Sequence, residues 1–145
     1  MSIAQWRQFN FFDKQQVVDP TDKSKSPAVF QKSDISVLTS GRGQIALADS
    51  KGQVYISDRN FKTHSFVAYD GGRVTHLKQL KQKNILVTVG EEDNGTPVVK
   101  FWDLDSVDRS KLNESQPYTP TCIRTIKIQH GTKPYPVSIY HCCAG

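Results

Sequence analysis

A pattern of four short apolar runs separated by turn residues occurs twice in succession in this chain. The first pass is ISVLTS from Ile35, QIALADS, QVYISD and a run from Thr63 to Ala68, punctuated by Gly-Arg-Gly, Ser-Lys-Gly and Asp-Gly-Gly. The second is RVTHLKQL, NILVTVGE, PVVKFWDLD and TCIRTIKIQ. Ile35 and Val74 stand 39 residues apart, and Ile45 and Ile85 stand 40 apart. The offset grows to 45 between Asp58 and Asp103, because EEDNGTP is longer than SKG. Short runs rich in β-branched and aromatic residues, bounded by turn residues, read as strands. Four strands recurring every 40–45 residues or so are the signature of a β-propeller blade. The predicted fold class is all-β: a WD-like β-propeller of which only the first one to two blades are present.

The repeat divides the chain. The expected organisation is an N-terminal strand segment over 1–14, a polar loop over 15–33, a first blade over 34–72 and a second over 73–130. Residues 131–145 look like the truncated start of a third blade: PVSIY has the texture of a first strand, and HCCAG follows without completing the unit. Closed propellers have about four to eight blades. A blade is apolar on both faces and depends on neighbours, so the chain reads as the opening of a larger domain. In isolation it is expected to be unstable or prone to aggregate, because strand edges and blade faces stay uncovered.

The Trp102-Asp103 pair falls at the end of the third strand of the second unit, where WD repeats carry that dipeptide. Alternation puts Val99 and Phe101 on one face, available to a neighbouring blade, with Trp102 on the other. Asp103 is expected to end the strand where the chain turns. Val99, Phe101, Trp102 and Asp103 together form the predicted repeat signature. Trp6, Tyr55, Phe61, Tyr69 and Trp102 are better explained as blade packing than as a stacking platform for bases.

Composition limits the alternatives. The net charge is +5 over 145 residues, which allows an acidic partner or membrane surface. The bases are scattered, however: Lys23, Lys25 and Lys32 in one polar stretch, Lys78, Lys81 and Lys83 in another. No apolar run is long enough to span a bilayer. The start MSIAQWRQFNFF has Arg7 and Asn10 within it and lacks a small-residue cleavage site, so a cytosolic chain is expected. Cys122, Cys142 and Cys143 are an odd number, which in that compartment argues for free thiols. Zinc is not indicated despite His130 and His141, because the set contains no Cys-x-x-Cys spacing.

No catalytic constellation emerges. Gly41-Arg42-Gly43 is followed by strand-like residues rather than a helix, so it reads as a tight turn and not as a phosphate loop. His76 has no Ser, Cys or carboxylate at motif spacing. Glu91, Glu92 and Asp93 sit in a segment with the composition of a loop between strands. The expectation is a chain that is not an enzyme and uses no cofactor.

QWRQFNFFDK, SGRGQIALADSKGQVYISDRN, RVTHLKQLKQKNILVTVGEEDNGTPVVKFWDLD and CIRTI, in this order, resemble the N-terminal part of the vacuolar protein sorting-associated protein eleven family. The resemblance covers residues 5 to about 128. It implies a propeller followed by an α-solenoid and a RING domain, in a core scaffold of the HOPS and CORVET tethering complexes. The function it implies is tethering and fusion in endosome-to-lysosome or vacuole transport, together with autophagy. The partners would be other tethering-complex subunits, with peripheral association with late endosome, lysosome or vacuole membranes, and with neither nucleic acid nor a small-molecule substrate. It also implies that the opening strand, with Trp6, Phe9 and Phe11, closes the ring against the last blade. RING chemistry is not carried over. The alternative left open is a generic WD-type module that binds an acidic peptide or phosphoinositide headgroups.

Overall fold

The structure is a computed structural model that describes residues 14–32, 34–111 and 118–128. The opening strand with Trp6, Phe9 and Phe11, the segment 131–145, and His130, His141, Cys142 and Cys143 lie outside the described residues. The described chain is all-β and propeller-like. Its first sheet is β1 (Ile35–Gly41), β2 (Gln44–Asp49), β3 (Gln53–Ser57) and β4 (Thr63–Val67). Its second is β5 (Arg73–Gln79), β6 (Ile85–Glu91), β7 (Pro97–Val107) and β8 (Pro120–Lys127). Both are antiparallel meanders in sequence order.

The repeat extends to the irregularities. In the first sheet the β1–β2 register slips between Ile35 and Val37; in the second the β5–β6 register slips between Val74 and His76. A β-bulge thus stands at the same point of each first strand. Ser36 and Thr75 occupy these bulges. Each hydroxyl donates back to the facing strand, Ser36 to the Ala48 carbonyl at 3.2 Å and Thr75 to that of Val89 at 3.1 Å. The Ser36 hydroxyl also lies 3.2 Å from the Val74 carbonyl, which ties β1 to β5.

Each strand alternates its side chains between two faces. The register puts Ala46, Ala48, Val54, Ile56 and Phe66 on one face of the first sheet. The second sheet covers that face with Leu77, Leu86, Val98 and Trp102, and all of these belong to one buried cluster. Phe66 and Trp102 meet across it, ring centroids 4.9 Å apart and tilted by 58°. Such pairs add about 0.5–1.5 kcal/mol beyond the area that they bury.

Two sequence expectations need correcting. The polar loop expected over 15–33 contains a short helix, α1 (Ala28–Lys32). Pro27 precedes it and accepts the Phe30 amide at 3.0 Å, and Gln31 folds back onto the Ser26 carbonyl. The helix is held by Val29, which packs with Leu47 and Tyr55 on the outer face of the first sheet. The second correction concerns Asp103. It does not end its strand, since β7 runs on to Val107. The β7–β8 pairing skips from Asp103–Thr121 to Val107–Pro120, so an irregularity lies where a strand end was expected. In the first sheet the matching Asp58 does follow its strand, and its carboxylate receives the Asn60 and Lys62 amides.

Candidate interaction surfaces

The centre of the molecule is a polar node set into the apolar interface. Tyr69 leaves the first sheet just after β4 and is fully buried. Its hydroxyl lies 2.8 Å from the Val98 carbonyl, and 3.0 Å from both the carbonyl and the hydroxyl of Thr88. Thr88 also receives the Trp102 indole N–H at 3.0 Å. Burial pushes the Tyr69 hydroxyl well above the usual tyrosine range, an effect that the Thr88 hydrogen bond only partly opposes. The Lys100 ammonium sits over the same ring, 4.5 Å from its centroid, and donates to the Ala68 carbonyl at 2.8 Å. Cation–π contact and hydrogen bond together hold the charge in place.

Four residues carry the repeat signature, and the structure separates them. Trp102 is buried between the sheets. Val99 and Phe101 are half-buried on the opposite face of the second sheet, paired with Val89 and Val87. Asp103 is half-buried and its carboxylate accepts the Asp105 amide at 3.1 Å. Neither Tyr69 nor Thr88 was singled out from sequence as part of this node. The available signal was a tyrosine directly before Asp-Gly-Gly, and a threonine alone among apolar residues in NILVTVG.

The second surface is a groove of about 1160 Å³ on the outer face of the first sheet, roofed by the segment from Asp19 to Val29. Tyr55, Lys51, Lys62 and Val67 line its floor and sides. Beneath it, Asp49 is buried and fully used. Its carboxylate accepts the Lys51 and Gln53 amides, both at 2.9 Å, and the Tyr55 hydroxyl at 3.0 Å. Gly52 completes this turn at φ +81°, with the Tyr69 carbonyl where a side chain would stand. Only glycine fits there.

The remaining chemical candidates resolve individually. Gly41 pairs with Gln44 across a two-residue hairpin turn. His76 is exposed, its Nδ1 3.1 Å from the Thr75 hydroxyl. Glu91 pairs with Arg73 at 2.9 Å, and Glu92 with Lys127 at 3.2 Å and Lys100 at 3.9 Å. Among the described residues no group of three or more His, Cys, Asp or Glu is placed to hold a metal ion. No helix among them is long and apolar enough to cross a membrane.

The family described as PEP5/VPS11 N-terminal matches residues 6–144. The chain is 37% identical over 151 aligned residues to the human vacuolar protein sorting-associated protein 11 homolog, covering 94% of this chain and 15% of that protein. The mouse homolog is 36% identical over the same shares. The Dictyostelium discoideum homolog is 36% identical over 86% of this chain and 12% of its own length. The chain therefore spans about one seventh of the curated relatives it matches. No solved structure matches it.

Proposed function

Because this chain belongs to the PEP5/VPS11 N-terminal family, we propose that it supplies the first two blades of a propeller scaffold in vacuolar protein sorting. Its work is to present surfaces to other proteins, and it does no chemistry of its own. In the finer reading the scaffold belongs to HOPS- and CORVET-type tethering complexes. It acts there in endosome-to-lysosome or vacuole fusion and in autophagy, peripheral to the membrane and bound to other tethering subunits.

One observation carries the scaffold reading. Val87 pairs with Phe101, and Val89 with Val99, as Ala46 pairs with Ile56, and Ala48 with Val54. The far face of the second sheet thus repeats the register of the face by which the first sheet receives its neighbour. Sheets built this way stack in series, which suits a propeller and gives Val99 and Phe101 the role of seating a following blade.

The test is a segment exchange. This chain replaces the corresponding N-terminal segment of the human homolog in cells lacking that protein. Restored vacuolar or lysosomal sorting, with the other tethering subunits co-purifying, is the expected result. A chimera that accumulates normally yet restores neither overturns the reading.

A further inference from the structure

The bases that look scattered in sequence are gathered by the fold. Antiparallel connectivity puts the β1–β2 turn and the β3–β4 loop at the same end of the first sheet. The β5–β6 loop joins them there, because the Arg42 guanidinium donates to the Lys81 carbonyl at 3.1 Å. These three tips carry Arg42, Arg59, Lys62, Lys81 and Lys83, all exposed. Their one acid, Asp58, is half-buried and its carboxylate is occupied by the Asn60 and Lys62 amides. The opposite rim holds Asp70, Glu91, Glu92 and Asp93. Glu91 and Glu92 are paired there with Arg73, Lys100 and Lys127, and at the cationic end Asn84 donates to the exposed Asp105 carboxylate at 2.6 Å, so an acid also adjoins the β5–β6 tip.

The same tips hold the strained backbone. The two non-glycine residues at positive φ among the described residues are Arg42, at 52°, and Phe61, at 59°. A phenylalanine in that region is unfavourable. Phe61 stands between Arg59 and Lys62 in sequence, and with Ile45, 37% exposed, it lines a shallow hollow at the rim. Apolar side chains among exposed cations suit a membrane interface, where the charges meet headgroups and the apolar groups meet the acyl boundary.

We propose that this rim binds the anionic surface of a lipid bilayer, with Arg59, Lys62, Lys81 and Lys83 meeting headgroup phosphates and carboxylates. The cations are spread over three tips, and only Lys62 among them also lines the groove on the outer face, a spacing suited to mobile headgroups more than to one extended peptide. The three tips carry a single aromatic, Phe61, and so lack the stacking platform that single-stranded nucleic acid requires. The inference deepens the function proposed above and rests on it for the kind of surface. Vesicle binding and restoration of sorting are separate readouts, so either can fail alone.

Flotation of the chain with phosphatidylcholine vesicles, with and without phosphatidylserine, tests it, because aggregated chain does not float. Binding is expected only to the anionic vesicles, declining as salt is raised. Each cation near an anionic surface contributes a factor of about 5, so the triple variant R59Q/K81Q/K83Q should bind roughly 100-fold more weakly. Lys81→Arg with Lys83→Arg should bind as the parent does, which separates charge from folding. Neutralising Lys51 and Lys127, away from the three tips, should leave binding nearly unchanged. Equal binding to neutral vesicles, an unaffected triple variant, or binding to poly-glutamate but not to vesicles would each overturn the proposal.

Discussion

The Tyr69 hydroxyl, which belongs to the end of the first sheet, donates to the Val98 carbonyl of the second across 2.8 Å. It is a tether between sheets, made where water is excluded. Its strength comes from burial, because an unpartnered polar group there would cost about 1–3 kcal/mol. The contact also fixes relative position: the ring must lie flat beside Gly90 for the hydroxyl to reach Val98 and Thr88 together.

Ionising Tyr69 is therefore coupled to opening the interface. Its folded-state pKa lies above the unfolded value of about 10, so the stability it contributes is complete below that pH and is lost as pH rises further. Tyr118 is shifted in the same direction, by burial and then by the Asp105 and Asp103 carboxylates. An ultraviolet titration should show Tyr69 ionising only as the chain unfolds, and Tyr118 ionising above the ordinary tyrosine range. Tyr69→Phe should weaken the alkaline dependence while lowering stability at neutral pH.

Gly90 leaves no space for a side chain. A Cβ there would stand 2.5 Å from the Arg73 carbonyl and 2.6 Å from the Tyr69 ring. Gly90→Ala should cost about 1–3 kcal/mol, as overpacking does. Gly95 is the contrasting case, with open space around it but φ +73°. Gly95→Ala should cost about 1 kcal/mol through backbone strain alone. Chemical denaturation of both variants gives the comparison.

Trp102 and Phe101 are neighbours with unequal burdens. Trp102 is 3% exposed, bonds Thr88 and stacks on Phe66, whereas Phe101 is half-buried. Trp102→Ala should cost about 3–5 kcal/mol. Phe101→Ala should cost about 1 kcal/mol in this chain, since only part of its area leaves water. Equal losses in urea midpoint for the two would contradict the assignment of faces.

Asp49 is the residue on which the β2–β3 turn depends. Asp49→Ala strands the Lys51 and Gln53 amides, while the Tyr55 hydroxyl keeps its bond to the Gln53 side chain at 2.7 Å, and should cost about 2–3 kcal/mol. Asp49→Asn retains one acceptor oxygen and should cost less. Circular dichroism melting of the two variants ranks them.

Strand order was legible in the sequence because turn residues such as Gly41 to Gly43 and Gly52 bracket runs too short to be anything but strands. What the sequence hid was set by tertiary contact. Helix α1 has only five residues, and its segment reads as loop; it exists because Val29 finds Leu47 and Tyr55. Asp103 looked like a terminator because Asp58 is one, but β8 supplies a partner beyond the irregularity and the strand continues. The alternation separating Val99 and Phe101 from Trp102 was readable. Which face would be buried here depended on which neighbour is present. The basic rim was invisible for a simpler reason: its members are up to 41 residues apart in sequence, and only the meander brings them together.

The covered face of the first sheet and the face that covers it are different surfaces, so the pair of sheets has two unlike ends. An association of that kind is directional, and it closes into a ring or runs on as a fibre according to the angle added at each step. At one end of the stack Val29 already occupies Leu47 and Tyr55. Helix α1 is thus part of the surface that this end offers to whatever packs there, and its sequence bears on assembly geometry as much as on the fold of the sheet beneath it.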